Sequence, residues 1–147
     1  MFVSQRKYTN EILKRFCMER NKPMETPLVG NWREDATLGE VVEYIAYRKL
    51  VGSIMYLVNT LPNMCYAVNH LSQAMVRPTK IYWKATKHVL RYLRGTSQYG
   101  LWYRQIEGVK LQGFTDVYWG GSPSDRKRKL GGIFSIGLAA VSWYSKN

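Results

Sequence analysis

The chain has 147 residues, 46% of them hydrophobic and 14% aromatic, and a formal net charge of +12. That length and apolar content suit one folded domain or parts of two, and they exclude a disordered chain. No run of about 18 apolar residues predicts a membrane-spanning helix, and the opening Met1-Phe2-Val3-Ser4-Gln5-Arg6-Lys7 lacks the apolar stretch of a secretory signal.

Phe2-Val3 reads as the end of a strand, and Ser4 as the cap of a first helix running to about Arg20. Tyr8, Ile12, Leu13 and Phe16 give that helix its apolar spacing. From Asn21 to Gly39, Pro23, Pro27, Gly30 and Gly39 break any periodicity and predict a long connector. A second helix is predicted over about Tyr44–Asn59, with Leu50, Ile54 and Leu57 on one face. Pro62 interrupts, and Asn63 is placed to cap a third helix through about Met75, built on Met64, Ala67, Val68 and Leu71. Pro78 ends it, and Thr79 is placed to cap a fourth helix that stops at Gly95.

Beyond Gly95 the period becomes that of strands, over Tyr99–Arg104, Val109–Tyr118, Gly132–Leu138 and Ala140–Ser145. The expected fold class is α+β: a helical part over residues 1–95, then an antiparallel sheet over residues 96–147. With its last strand ending at Ser145, the sheet is expected to be incomplete. Cys17 and Cys65 both fall inside helical patterns and are expected to be buried thiols rather than a disulfide.

The charge is unevenly spread. Residues 1–45 balance seven Lys/Arg against seven Asp/Glu, whereas residues 46–106 carry nine Lys/Arg and no acid. A block like this predicts a polyanionic partner, nucleic acid or an anionic membrane surface. On the fourth helix Lys80, Lys84, Lys87, Arg91 and Arg94 recur at spacings of four and three residues, which places them in one stripe. At 1.5 Å per residue the stripe is about 20 Å long, enough to follow a phosphate backbone. Tyr82, Ala85, Val89 and Leu93 define a separate packing face, and Trp83, Tyr92 and His88 are expected to pack rather than stack on bases. The partner expected from these residues is nucleic acid, bound weakly and without sequence preference.

Arg91-Tyr92-Leu93-Arg94 spells R-x-L-R. The tetrapeptide resembles the translocation motif of oomycete RxLR effectors, secreted proteins that act inside plant cells. The resemblance implies an alternative role: entry into host cells, with Arg91, Leu93 and Arg94 as the delivery motif. Suppression of host cell death or defence through host-protein contacts, in the host cytoplasm or nucleus, would follow. Arg126-Lys127-Arg128-Lys129 would then be a candidate nuclear signal, although a basic turn is the commoner explanation.

A second resemblance spans the chain. Phe2-Val3-Ser4-Gln5-Arg6-Lys7-Tyr8, Lys22-Pro23 with Thr26-Pro27, Tyr47-Arg48-Lys49-Leu50-Val51-Gly52 through Tyr56-Leu57, Tyr66-Ala67-Val68, Leu71-Ser72-Gln73 and Val89–Thr96 stand in order. Together they are similar to copia-type retrotransposon polyproteins, from the C-terminal part of reverse transcriptase into the first strands of RNase H. The fold this implies is a helical reverse-transcriptase C-terminal part followed by an incomplete antiparallel RNase H-like sheet. The chain departs from the family at several motifs. Thr60-Leu61-Pro62-Asn63 stands where the family has T-R-P-D. Thr115-Asp116-Val117-Tyr118-Trp119-Gly120-Gly121 replaces T-D-A-D-W-A-G, and Asp125-Arg126-Lys127-Arg128-Lys129-Leu130-Gly131 replaces D-R-K-S-T-S-G.

Polymerase and RNase H chemistry both use two metal ions, which several carboxylates must hold. The resemblance implies that the paired polymerase aspartates precede Met1 and that further RNase H carboxylates follow Asn147. Asp116 matches the first RNase H aspartate and is expected to be vestigial. Asp125 reads as a turn residue and Glu107 as a hairpin residue, while His70 and His88 fall on helices without an evident partner. The expectation is a non-catalytic chain with no metal site and no cofactor.

Overall fold

The computed structural model describes residues 1–30, 39–105, 107–108, 110–118 and 129–146. The fold is mixed α+β, and it divides into two compact units: residues 4–99, and residues 1–3 together with 100–147. Among the described residues the first unit holds α1 (Arg6–Arg15), α2 (Tyr44–Leu57), a 3₁₀ turn (Pro62–Met64), α3 (Cys65–Ser72) and α4 (Lys80–Gly95).

α1 starts after Gln5, which makes no side-chain cap, so Ser4 does not cap it. It also stops about five residues before the predicted end at Arg20. Cys17 adopts the left-handed conformation at φ 55°, and there the Met18 N–H donates to the Leu13 carbonyl (2.8 Å) and the Cys17 N–H to the Lys14 carbonyl (3.1 Å). This pair of bonds is the Schellman termination, with buried Met18 beside buried Leu13. Cys17 is therefore exposed and Cys65 half-buried, in place of the expected buried thiols, and no disulfide joins them.

α2 opens on Glu43, whose carboxylate accepts from the backbone N–H groups of Ile45 (2.7 Å) and Ala46 (2.6 Å). An acid at this end also suits the helix dipole. α3 is shorter than predicted, ending at Ser72. Asn63 does not cap it, because the Asn63 amide donates to the Tyr92 hydroxyl (2.5 Å). α4 spans the predicted residues, and Thr79 holds the extended cap conformation without a side-chain cap bond. The helix start is tied down by backbone instead: the Lys80 N–H donates to the Glu40 carbonyl (2.9 Å) and the Val42 N–H to the Pro78 carbonyl (2.8 Å).

The core of this unit is one cluster. Ile12 of α1, Leu50 and Ile54 of α2, Leu71 of α3, and Val89, Leu90 and Leu93 of α4 are all fully or almost fully enclosed. Tyr47 lies in it too, with its hydroxyl donating to the Leu71 carbonyl at 2.7 Å. Burial raises the Tyr47 phenol pKa, so it stays protonated and keeps donating.

In the second unit β1 (Phe2–Val3) pairs antiparallel with β2 (Leu101–Trp102). β3 (Leu111–Tyr118), β4 (Lys129–Ile136) and β5 (Ala139–Lys146) form an antiparallel sheet in that order, with Leu111 opposite Ile136 and Ile136 opposite Ala139. β4 begins and ends earlier than predicted. Gly137 (φ 61°) and Leu138 make a two-residue turn with glycine first, so Leu138 is a turn residue rather than a strand residue. Aromatic rings lie over two of the glycines of the sheet. A Cβ on Gly113 would come within 2.8 Å of the Phe134 ring, and one on Gly132 within 2.5 Å of the Tyr144 ring. Val109, predicted to open a strand, lies outside the described residues.

The Schellman position yields a test. Cys17→Gly is expected to stabilise the chain by about 0.5–1 kcal/mol, because glycine occupies the left-handed region without steric cost. Cys17→Val is expected to destabilise it. Urea unfolding midpoints of the three proteins check the order.

Candidate nucleic-acid interface

α4 divides its circumference between core and cations. Ala85, Thr86, Val89, Leu90 and Leu93 are buried, as the spacing of the packing face requires. The five basic residues lie away from them, but they are not equivalent. Lys80 forms an ion pair with Glu40, both side chains remaining largely exposed. Lys84 and Lys87 are exposed, and the Lys87 ammonium sits 5.7 Å from the Trp83 ring centre, close enough for a cation–π contact.

The two arginines are half-buried and engaged. Arg91 Nε donates to the Lys22 carbonyl at 2.7 Å, and the Arg94 guanidinium donates to the Asn21 carbonyl. Two further contacts continue the line. The Met24 N–H donates to the Arg91 carbonyl (3.3 Å), and His88 Nε2 lies 2.9 Å from the Thr26 carbonyl. Residues 21–26 are thus a strap laid along the C-terminal half of α4. Gly95 admits it closely, since a Cβ there would stand 3.1 Å from Pro23 Cβ.

The stripe read from the sequence therefore splits. Its N-terminal part, Lys80, Lys84 and Lys87, faces solvent; its C-terminal part, Arg91 and Arg94, grips the strap. Leu93 is 0% exposed. Of the R-x-L-R tetrapeptide, the leucine is in the core and the arginines hold the chain's own backbone. Tyr92 is buried and Trp83 half-buried, 6.5 Å from Tyr47, so both pack.

Asp116 is exposed on β3, opposite Gly131. Among the described residues no three His, Cys, Asp or Glu side chains come together as a metal cluster would. Asp125 and residues 126–128 lie outside the described residues, and Lys129 opens β4. Both histidines have neighbours that the sequence did not reveal: His88 meets the strap, and buried His70 packs edge-on against the Tyr66 ring at 4.4 Å. The docked strap is likewise not evident from the sequence. The available signal was that a connector without regular structure leaves its carbonyls needing donors, and a residue before proline, such as Lys22, holds an extended backbone.

Comparison with known proteins places the chain. It is 37% identical over 147 residues to the retrovirus-related Pol polyprotein from transposon RE2 of Arabidopsis thaliana, covering 99% of this chain and 10% of that protein. An uncharacterized mitochondrial protein of the same plant is 34% identical over 146 residues, 99% of this chain and 61% of that one. Secreted RxLR effector protein 161 of Plasmopara viticola is 41% identical over 103 residues, 69% of this chain and 72% of that protein. No family model and no solved structure matches the chain. Over nearly its whole length the chain is thus related to the retrovirus-related Pol polyproteins of transposons, in agreement with its copia-type resemblance. It spans about a tenth of the length of the transposon polyproteins that it matches.

Because the arginines hold the strap, Arg91→Ala with Arg94→Ala is expected to release it. Trypsin should cut faster after Arg20, and stability should fall by about 1–2 kcal/mol for two partly exposed, charge-assisted bonds. Lysine at both positions keeps the charge but not the planar fork, and is expected to restore neither property fully. Timed proteolysis read by mass spectrometry checks both statements.

Proposed function

We propose that this chain is a non-catalytic, retrotransposon-derived protein that retains weak, sequence-indifferent affinity for nucleic acid. Lys84 and Lys87 of α4 carry the contact, with Lys80 beside them. The observation behind this reading is that these cations face solvent on the side of α4 away from the core. They also lie inside a stretch, residues 46–106, that contains no acid, and only Lys80 of the three is paired with an acid from outside it, Glu40. Arg91 and Arg94, committed to the strap, contribute charge but few free donors.

In this reading the helical unit corresponds to the C-terminal part of reverse transcriptase, and β3–β5 to the first strands of RNase H. The end-to-end similarity to transposon polyproteins and the run of shared motifs support it. In this reading Asp116 is vestigial, because two ions about 4 Å apart need several carboxylates and the resemblance assigns Asp116 only the first of them.

A second reading is favoured by the similarity to the RxLR effector of Plasmopara viticola. Here the chain would be secreted, enter host cells and contact host proteins. Its support is the likeness over most of that protein's length, not the tetrapeptide, whose Leu93 is inaccessible in the fold. If Arg91, Leu93 and Arg94 deliver the chain, Arg91→Ala with Arg94→Ala is expected to abolish accumulation in host cells. Wild-type accumulation of that variant would remove the motif from the mechanism.

One experiment tests the main reading. A labelled RNA–DNA hybrid is titrated with the protein in magnesium buffer across a range of salt, and the hybrid is then run on a denaturing gel. Binding is expected to weaken steeply with salt. Lys84→Glu with Lys87→Glu is expected to lower the salt slope by about 2, and the hybrid is expected to stay intact. Unchanged binding by the double variant would rule the patch out. Cleavage that Asp116→Asn abolishes would overturn the non-catalytic reading.

A further inference from the structure

The strand-rich unit carries a feature that the basic stripe does not account for. Phe2 and Trp102 are register partners of the β1–β2 pair, so they share one face of it. Their ring centres are 4.9 Å apart and tilted by 32°, yet Phe2 is 43% and Trp102 61% exposed. Rings of this size are seldom left so open.

The arrangement is held in place. A Cβ on Gly100 would lie 2.8 Å from two carbons of the Phe2 ring and 2.4 Å from the Val3 carbonyl oxygen. The Phe2 ring occupies its seat because residue 100 has no side chain. The Tyr103 N–H donates to the Met1 carbonyl (2.8 Å), continuing the pairing past Phe2. Beside Trp102 a cleft of about 600 Å³ opens, with Leu101, Trp102 and Arg104 on one wall and Ile136, Leu138 and Ala139 on the other. The Tyr103 hydroxyl donates to the Ala140 carbonyl at 2.8 Å and ties the two walls together. Arg104 is exposed and, among the described residues, is the one charged residue in the lining, with no carboxylate beside it there.

We propose that this cleft is a stacking site for an unpaired base of single-stranded nucleic acid, with Trp102 as the platform and Arg104 as the contact to the adjoining phosphate. The chemistry follows from the lining. An apolar floor with a broad indole face suits a flat aromatic ligand, and a cation at its edge favours a ligand that carries negative charge. A base with its phosphate satisfies both, and stacking of this kind tolerates any base. A purely apolar peptide uses the floor but leaves Arg104 without a partner. In a duplex both faces of each base are already stacked, so the site selects single strands and is separate from the α4 surface. The choice of nucleic acid over peptide rests on the reading given under Proposed function; the location of the site does not.

The test uses an oligothymidylate of about 12 nucleotides, within the range of known single-strand sites, and a duplex of equal length. Anisotropy measures affinity, and tryptophan quenching reports stacking. Trp102→Ala is expected to weaken single-strand binding about tenfold and to remove part of the quenching, with duplex binding unchanged. Trp102→Phe is expected to retain most of the affinity, and Arg104→Ala, at an exposed position, to reduce the salt slope by about 1. Gly100→Ala, which unseats Phe2, is expected to weaken binding while leaving the helical unit intact. Wild-type single-strand affinity in Trp102→Ala overturns the proposal, as does displacement of the oligonucleotide by an apolar peptide alone. Loss of single-strand binding only in Lys84→Glu with Lys87→Glu also overturns it but leaves the α4 reading standing. Loss in Trp102→Ala with no effect of the lysine changes supports this site and sinks the other.

Discussion

The helical unit depends on how α4 uses its whole circumference. Its apolar side meets α1, α2 and α3, placing Val89, Leu90 and Leu93 at the centre of the core. Its other side carries five cations within 15 residues and no acid. Cations at i, i+3 and i+4 repel one another along a helix, and the fold answers with different counter-groups along the row. Glu40 takes Lys80, the Trp83 ring lies beneath Lys87, and backbone carbonyls receive Arg91 and Arg94. A carbonyl offers only a partial charge, so the arginines relieve little of the repulsion through their partners. They are fastened nonetheless, because the strap gains donors that it lacks internally.

Two motifs that are remote in the sequence become the two sides of one contact. Lys22-Pro23 and the Arg91–Arg94 segment are about 70 residues apart, and they meet through hydrogen bonds spanning 69 and 73 residues. Each feature of the R-x-L-R tetrapeptide then has a local physical reason. Arg91 and Arg94, three apart, share a helix face and reach successive carbonyls of an extended strap. Leu93 turns to the core. A chain with this contact acquires the tetrapeptide as a consequence of packing, and the same letters in a flexible leader would answer to different physics.

Much of this architecture was legible in the sequence because it rests on periodicity. α2 and α4 followed from apolar residues recurring every three to four positions, and the antiparallel strands from short β-rich runs between turns. The errors fall where a single side chain or one backbone angle decides. Nothing in the letter Cys at position 17 announces a left-handed residue, so periodicity alone extends α1 to Arg20. Asparagine caps helices locally, which makes Asn63 look like a cap, whereas its amide donates to the Tyr92 hydroxyl 29 residues away. Leu138 suits a strand by type, but the glycine before it sets the turn. The basic stripe was visible as a row. Which of its members are engaged was not, because their partners are carbonyls, and every sequence supplies those.

The two units differ in how they are held, and this bears on what each surface can do. Among the described residues, the helical unit encloses one continuous apolar cluster, so Lys84 and Lys87 project from a helix packed on a core. The sheet encloses far less. Leu111, Val117 and Ile136 share one face by register and Phe114 and Ile133 the other, and all five remain exposed. An antiparallel sheet usually commits one face to a core and the other to water; here apolar residues stand on both. Free energies of local opening follow such differences in burial. The Phe2–Trp102 ledge is built on two-residue strands, secured by the Gly100 seat and the Tyr103–Ala140 bond rather than by a core. Ordering that ledge around a base costs conformational entropy, which subtracts from the stacking free energy. The α4 surface requires no such ordering, but it offers only long-range charge. On the proposed readings the two surfaces would bind weakly for different reasons, one through an apolar ledge that must be ordered, the other through exposed cations, and salt separates them because only the second depends mainly on counterion release.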